Sequence, residues 1–367
     1  MEEYWKYSEH TSYKHSILSY YLSMWSTILG SASKDVVFWD CFAGRGTYAG
    51  GQPGSPLLAM EESRKCQTGK KVINLSCVLI EKDRANYKEL KKNLRELYPE
   101  SENETWFVYN SDYIDIYERV ENGEIEELQH LKRKPTLFFL DPIGFKGMPL
   151  DIIRRMMSRR RCEVLITLMV ENIKRHRNNV SVQNHFKEIF GVDDLTRLNE
   201  ICARPKPEAK IAEYYEERLR SRNGANIRHT LSFPFEPTRR SVILYYLVFG
   251  SNHDAGLKAM HTTMRAISNN PDSLSFRGKS DGVGTLEYYT QDPIDAIAKW
   301  ILSLPKSIAN FNTITFRAAK AKKPYSHPQI RAAIVKLIKE GKLEFVPKDE
   351  KAKEKGVLGE RYFRVVQ

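Results

Sequence analysis

The chain has 367 residues, 41% of them hydrophobic, and a formal net charge of +12. That length accommodates two domains, or one large core with an appendage, and no apolar run approaches the roughly 18 residues of a membrane span. The positive surplus favours a polyanionic partner, because neutralising phosphates releases counterions whatever the base sequence.

The N-terminus is acidic and aromatic, with no apolar signal segment. The five cysteines are odd in number, scattered and without a Cys-x-x-Cys pair. That spacing argues against a disulfide framework or a metal site and makes a reducing cytoplasm the expected setting. Between Tyr13 and Leu29, Ile17, Tyr20, Tyr21, Met24 and Ile28 fall at helical spacing. The apolar run Val36–Trp39 then reads as a buried strand ending in Asp40, followed by a loop containing Gly44 and Gly46. Four further runs read as strands: Leu75–Ile80, Trp106–Tyr109, Thr136–Leu140 and Val164–Met169. Helices are expected between them at Asn86–Leu97, Ile114–Arg133 and Pro149–Met157. This alternation predicts a doubly wound, Rossmann-like α/β sheet.

Residues 170–228 are charged and helical in composition, as expected of an insertion or lid. His229–Phe235 and Ser241–Phe249 read as an antiparallel pair closing the sheet edge, and His253–Ile267 as the last helix of a first domain, 1–305. Residues 306–367 form a second, smaller unit. There Ser326-His327-Pro328-Gln329 starts a helix whose apolar positions are Ile330, Ala333, Ile334, Leu337 and Ile338, and Gly341 ends it. Strands at Leu343–Val346 and Arg361–Val366 flank a basic tip carrying Lys348, Lys351, Lys353 and Lys355. Helix plus basic-tipped hairpin is the outline of a winged helix.

Four strand ends carry acids. In a parallel sheet the carboxyl ends of the strands are where ligands bind. Asp40 precedes Phe42, Ala43, Gly44 and Gly46, whose backbone can approach a ligand closely because glycine has no Cβ. Glu81 ends the second strand, where a carboxylate accepts from ribose hydroxyls, although the insertion Gly50–Lys71 sets it further from the glycines than the usual ~20 residues. Asp112, followed by Tyr113, ends the third, and Asp141 ends the fourth. The loop lacks the Gly-x-Gly-x-x-Gly spacing of a nicotinamide site.

Asp-x-Phe-Ala-Gly-x-Gly resembles the first motif of S-adenosylmethionine-dependent methyltransferases. Phe42-Ala43-Gly44-Arg45-Gly46-Thr47-Tyr48, Pro53-Gly54-Ser55-Pro56 and Asp141-Pro142-Ile143-Gly144 together resemble the three-Cys-motif partner proteins, as do Lys14-His15 and Tyr20-Tyr21. A more distant resemblance is to the large-subunit ribosomal RNA adenine-N6 methyltransferases. The resemblance implies a class I methyltransferase sheet, S-adenosylmethionine as cofactor, and a three-Cys-motif protein, itself similar to radical S-adenosylmethionine enzymes, as partner. It also implies a target amine held by Asp141 and the backbone carbonyl of Pro142. Related amino-methyltransferases carry Asp/Asn-Pro-Pro-Tyr/Phe. Here Ile143 and Gly144 replace the second proline and the aromatic, and Phe145 is the expected displaced stacking platform for a flipped base. Arg154, Arg155, Arg159 and Arg160, with Lys174, Arg175 and Arg177, are the expected contacts to DNA or RNA phosphates. Two functions follow: methyl transfer to an exocyclic amine of a nucleic acid, or a non-catalytic nucleic-acid-binding or adaptor protein that keeps the fold.

Overall fold

β1 (Asp35–Asp40), β2 (Asn74–Ile80) and β4 (Thr136–Leu140) are nearly continuous apolar segments because both faces of their sheet are covered. Alternate residues serve opposite faces: Val37 and Trp39 enter one core, Val36 and Phe38 the other. The computed structural model describes residues 7–68, 71–99, 104–145, 147–237, 242–270, 272–278, 293–305, 309–346 and 362–366.

With β3 (Trp106–Tyr109), β5 (Cys162–Leu168), β6 (His229–Glu236), β7 (Tyr245–Ser251) and the short β8 (Phe276–Arg277), these strands form an eight-stranded sheet. Its order is β3-β2-β1-β4-β5-β7-β6-β8. β7 runs against β5 and β6, and every other pairing is parallel. The carboxyl ends of β1, β2 and β4 therefore share one edge.

One face is covered by α1 (Glu9–Ser33), α2 (Ser55–Thr68), α3 (Arg84–Leu97) and α10 (Asp254–Ile267). The other carries α4 (Tyr113–Glu121) and α5 (Leu150–Ser158). The same face holds α6 (Val170–His176), α7 (Gln183–Phe190), α8 (Thr196–Cys202) and α9 (Glu208–Arg220). Residues 170–228 are thus packed into the core, with Phe186, Phe190 and Tyr215 fully buried. The single helix expected over Ile114–Arg133 instead ends at Glu121. Gly123 takes φ +84° and its amide donates to the Val120 carbonyl at 3.1 Å, a left-handed stop that an Asn-Gly pair favours. A 3₁₀ turn over Glu126–Leu128 follows.

The C-terminal unit consists of α11 (Pro293–Ser303), β9 (Ala309–Asn310), α12 (Phe311–Lys320), α13 (His327–Lys339), β10 (Leu343–Val346) and β11 (Tyr362–Val365). α13 begins with a complete capping box, Ser326 with Gln329, and the three strands form an antiparallel sheet in the order β10-β11-β9. Lys348, Lys351, Lys353 and Lys355 lie outside the described residues. The unit is fastened to the helices flanking the larger sheet: Lys322 reaches the buried Glu216 of α9 at 2.6 and 2.8 Å, and the Lys323 carbonyl lies 2.6 Å from His261 Nε2 of α10. All five cysteines are buried and free. Among the described residues no helix is long and apolar enough to cross a membrane.

Candidate cofactor and substrate site

The β1 loop is held by its own backbone. The Phe42 amide donates to Asp40 Oδ1 at 3.2 Å, the Ala43 amide to the Ile80 carbonyl at 2.9 Å, and the Gly44 amide to Glu81 Oε2 at 2.8 Å. Gly44 and Gly46 take φ of +65° and +86°, where a side chain is strained. Gly54 donates to the Gly46 carbonyl at 2.7 Å, and a Cβ on Gly54 would lie 3.0 Å from that oxygen. The Pro53-Gly54-Ser55-Pro56 segment therefore braces the glycine loop at van der Waals limits.

Glu81 also accepts from the Asp83 amide at 2.7 Å, so each of its oxygens holds a backbone donor, and the Asn86 side chain bonds the same carboxylate. Burial pushes its carboxyl up, against the pull of those two amides. Asp40 is wholly buried, and its Oδ2 has no hydrogen-bond partner among the described residues. Burial raises its pKa to about 7. The Ser55 hydroxyl and Phe42 amide oppose the rise, and the charges of Asp141 and Glu81 add to it. The charges of Asp141 and Glu81 thus both bear on Asp40, and no metal-binding group occurs among the described residues. That acceptor-rich set fits a cationic, hydroxyl-bearing ligand, as a sulfonium nucleoside is.

At the end of β4, Asp141 is ion-paired with Lys14 of α1, and both side chains are mostly buried. The Lys14 ammonium lies 5.7 Å from the centre of the Tyr245 ring. Beside this pair, Tyr7, His15 and Tyr48 form a ring cluster with centroids 5.0 to 5.6 Å apart. Burial, with Lys14 assisting, lowers the His15 pKa to about 3, so its imidazole is neutral near pH 7. Its Nδ1 has no partner among the described residues. Tyr48 belongs to the loop motif and was visible as such. Tyr7 and Tyr245 come from the two ends of the domain, and no local pattern marks them.

The remaining expected residues divide. Asp112 caps α4 by accepting from the Ile114 amide at 3.0 Å and pairs with Lys82 at 3.1 Å on the surface. Tyr113 is buried, its ring 5.3 Å from that of Phe42, and its hydroxyl has no partner among the described residues. Pro142 is buried and Ile143 is 71% exposed. Phe145 does not stand beside Asp141 as an open platform. It is 8% exposed and packs on Phe186 at 4.9 Å and His176 at 5.8 Å, because the loop turns it into the core under α6 and α7.

The arginines following the fourth motif lie elsewhere than the sequence suggests. α5 carries the chain from the carboxyl end of β4 back to the amino end of β5, so Arg159 and Arg160 sit at the edge opposite the glycine loop. Arg159 donates to the Lys132 carbonyl and, at 3.3 Å, to Thr136 at the start of β4. Arg155 pairs with Glu118 at 2.7 Å, whereas Arg154 and Arg160 are exposed. Lys174, Arg175 and Arg177 follow β5 on the site side. Lys174 is paired with Glu208 at 2.7 Å and Arg175 with Glu171 at 2.5 Å, and Arg177 donates to the Lys174 carbonyl at 3.2 Å.

No protein-family model matches the chain, and no curated protein matches it. Among solved structures it is similar to protein LPL1258 from Legionella pneumophila str. Philadelphia 1, a DUF519 protein. The identity is 12% and the TM-score 0.32, over 64% of this chain and 84% of that one.

Proposed function

We propose that this chain is an S-adenosylmethionine-dependent methyltransferase that acts on nucleic acid at an exocyclic amine. The observation that carries the reading is the meeting of three strand ends. The Gly44 amide is bonded to Glu81, and Asp40 lies close enough to feel the charges of both Glu81 and Asp141. The antiparallel β7, inserted between β5 and β6, agrees with the methyltransferase resemblance. We read the C-terminal unit, whose helices α11–α13 pack with β9–β11, as winged-helix-like, and the net charge of +12 as suited to a phosphate backbone.

In this reading Asp40, Phe42, Ala43, Gly44 and Gly46 hold the amino-acid portion of the cofactor, Glu81 the ribose, and Asp112 with Tyr113 the adenine side. The bound cofactor supplies an electrophilic methyl group on its sulfonium. The chain's own task is alignment: the Asp141 carboxylate and the Pro142 carbonyl accept from the target amine and aim its lone pair. Lys14 keeps the Asp141 carboxylate fixed, and the amine displaces or shares that contact. The half-buried Tyr48 ring, set edge-on to Tyr7 and tilted against His15, offers the stacking face for a base that Phe145, buried elsewhere, does not.

A second reading has its own observation. Asp141 is already satisfied by Lys14, Ile143 stands exposed where related enzymes carry a second proline, and Phe145 is in the core. These suit an adaptor that binds nucleic acid, or a three-Cys-motif partner, without catalysis. Transfer of labelled methyl from S-adenosylmethionine to DNA or RNA by the purified chain separates the two. We expect transfer that Asp141→Ala abolishes. Cofactor binding without transfer to either nucleic acid would favour the adaptor.

A further inference from the structure

We infer that the outer face of α3 binds the sugar–phosphate backbone of the nucleic acid, an inference that rests on the nucleic-acid reading above. α3 has five basic residues and two glutamates. Arg84, Lys88, Lys91, Lys92 and Arg95 recur at i, i+4, i+7, i+8 and i+11, which places them within ~100° of one helix face over about 16 Å. Leu90 and Leu94 bury the opposite face in the core. Both glutamates already have basic neighbours: Glu89 pairs with Arg45 at 3.7 Å and Glu96 with Lys92 at 3.8 Å. Tyr87, Lys88, Lys91, Lys92, Arg95 and Glu96 line a shallow groove of about 430 Å³ along this face.

α3 is braced against the glycine loop by its inward side, so that its basic face runs outside that loop. A Cβ on Gly46 would lie 3.0 Å from Leu90 Cδ1, and Asn93 Nδ2 donates to the Arg45 carbonyl at 3.0 Å. A strand lying along α3 therefore passes the entrance to the candidate cofactor site. Arg155, Lys174 and Arg175 are each paired with a carboxylate. A linear row of cations with Tyr87 as its one aromatic neighbour in the groove suits phosphates spaced along a strand better than a bilayer surface.

The test is fluorescence anisotropy of the full chain with single- and double-stranded DNA and RNA of about 20 nucleotides, between about 50 and 200 mM salt. We expect the double variant Lys88→Glu/Lys92→Glu to bind about tenfold or more weakly and to flatten the log–log salt slope by about 2. The control Lys206→Glu/Lys210→Glu makes the same change in net charge on the opposite helical layer, and we expect it to bind like wild type. Thermal melting of both variants confirms folding. Wild-type affinity and slope in the α3 variant would overturn the assignment and leave the methyltransferase reading standing. An effect of the α3 variant in a chain that binds no S-adenosylmethionine would overturn that reading and leave this one. Failure of the wild type to bind any of the four nucleic acids would overturn the assignment. So would binding only to phosphatidylglycerol vesicles.

Discussion

Glu163 is a carboxylate at the second residue of β5 with almost no access to water. It accepts from the Tyr21 hydroxyl at 2.5 Å and the Ser251 hydroxyl at 2.7 Å, and Gly256 must lack a side chain because a Cβ there would lie 1.9 Å from Glu163 Oε1. Burial raises its pKa to about 6, with those two hydroxyls working against the rise. A carboxyl raised on folding favours the protonated form. Its contribution to stability is full below the unfolded value of about 4.3 and is lost as pH rises through the folded one. We expect wild type to lose about 2 kcal/mol of stability between about pH 4 and pH 7 that Glu163→Gln does not lose. Urea unfolding across that range measures the difference in slope. Parallel profiles would show that folding leaves the Glu163 carboxyl unshifted. Two atoms near the site, Asp40 Oδ2 and His15 Nδ1, are buried and have no hydrogen-bond partner among the described residues. In a native interior such groups call for an explanation, and a ligand supplies one.

At the scale of elements, the joint between α9 and the loop after α12 is the most exacting. Glu216 is 1% exposed and is met by Lys322, by the Thr230 hydroxyl at 2.7 Å and by Arg220 at 3.3 Å. Burial alone would raise its carboxyl, but Lys322 and the surrounding hydroxyls together hold it below the usual range. Lys322→Ala leaves a buried carboxylate short of its main partner. We expect a loss of about 3 kcal/mol in urea unfolding, together with faster proteolysis of the C-terminal unit. A change under ~0.5 kcal/mol would mean that the joint is carried by the apolar contacts of α12 with α10. The strands were legible in sequence where both faces are buried: Trp106–Tyr109 and Thr136–Leu140 coincide with β3 and β4 because nothing polar interrupts them. The overlong helix after Tyr113 was misread because its Lys- and Glu-rich continuation has helical composition, and only the Asn122-Gly123 stop ends it. The strand-end acids were readable because parallel strands bring their carboxyl ends to one edge. Proximity in sequence to Asp141 misplaced Arg159 and Arg160, since an intervening helix reverses direction. The Tyr245 hydroxyl, 3.3 Å from His10 Nδ1 across 235 positions, leaves no local trace at all.

For the molecule as a whole, charge and topology converge on one edge. Parallel strands deliver Gly44, Glu81 and Asp141 there, α1 brings Lys14 across to Asp141, and α3 leads its basic stripe up to the same loop. The methyltransferase reading depends on that edge holding a sulfonium nucleoside. Calorimetric titration of the full chain with S-adenosylmethionine tests this most directly. The account predicts one site per chain, weakened by about tenfold or more in Glu81→Ala, which removes a charged acceptor from both the ligand and the Gly44 amide. Heats no larger than dilution in wild type, or equal affinity in the two proteins, would contradict it.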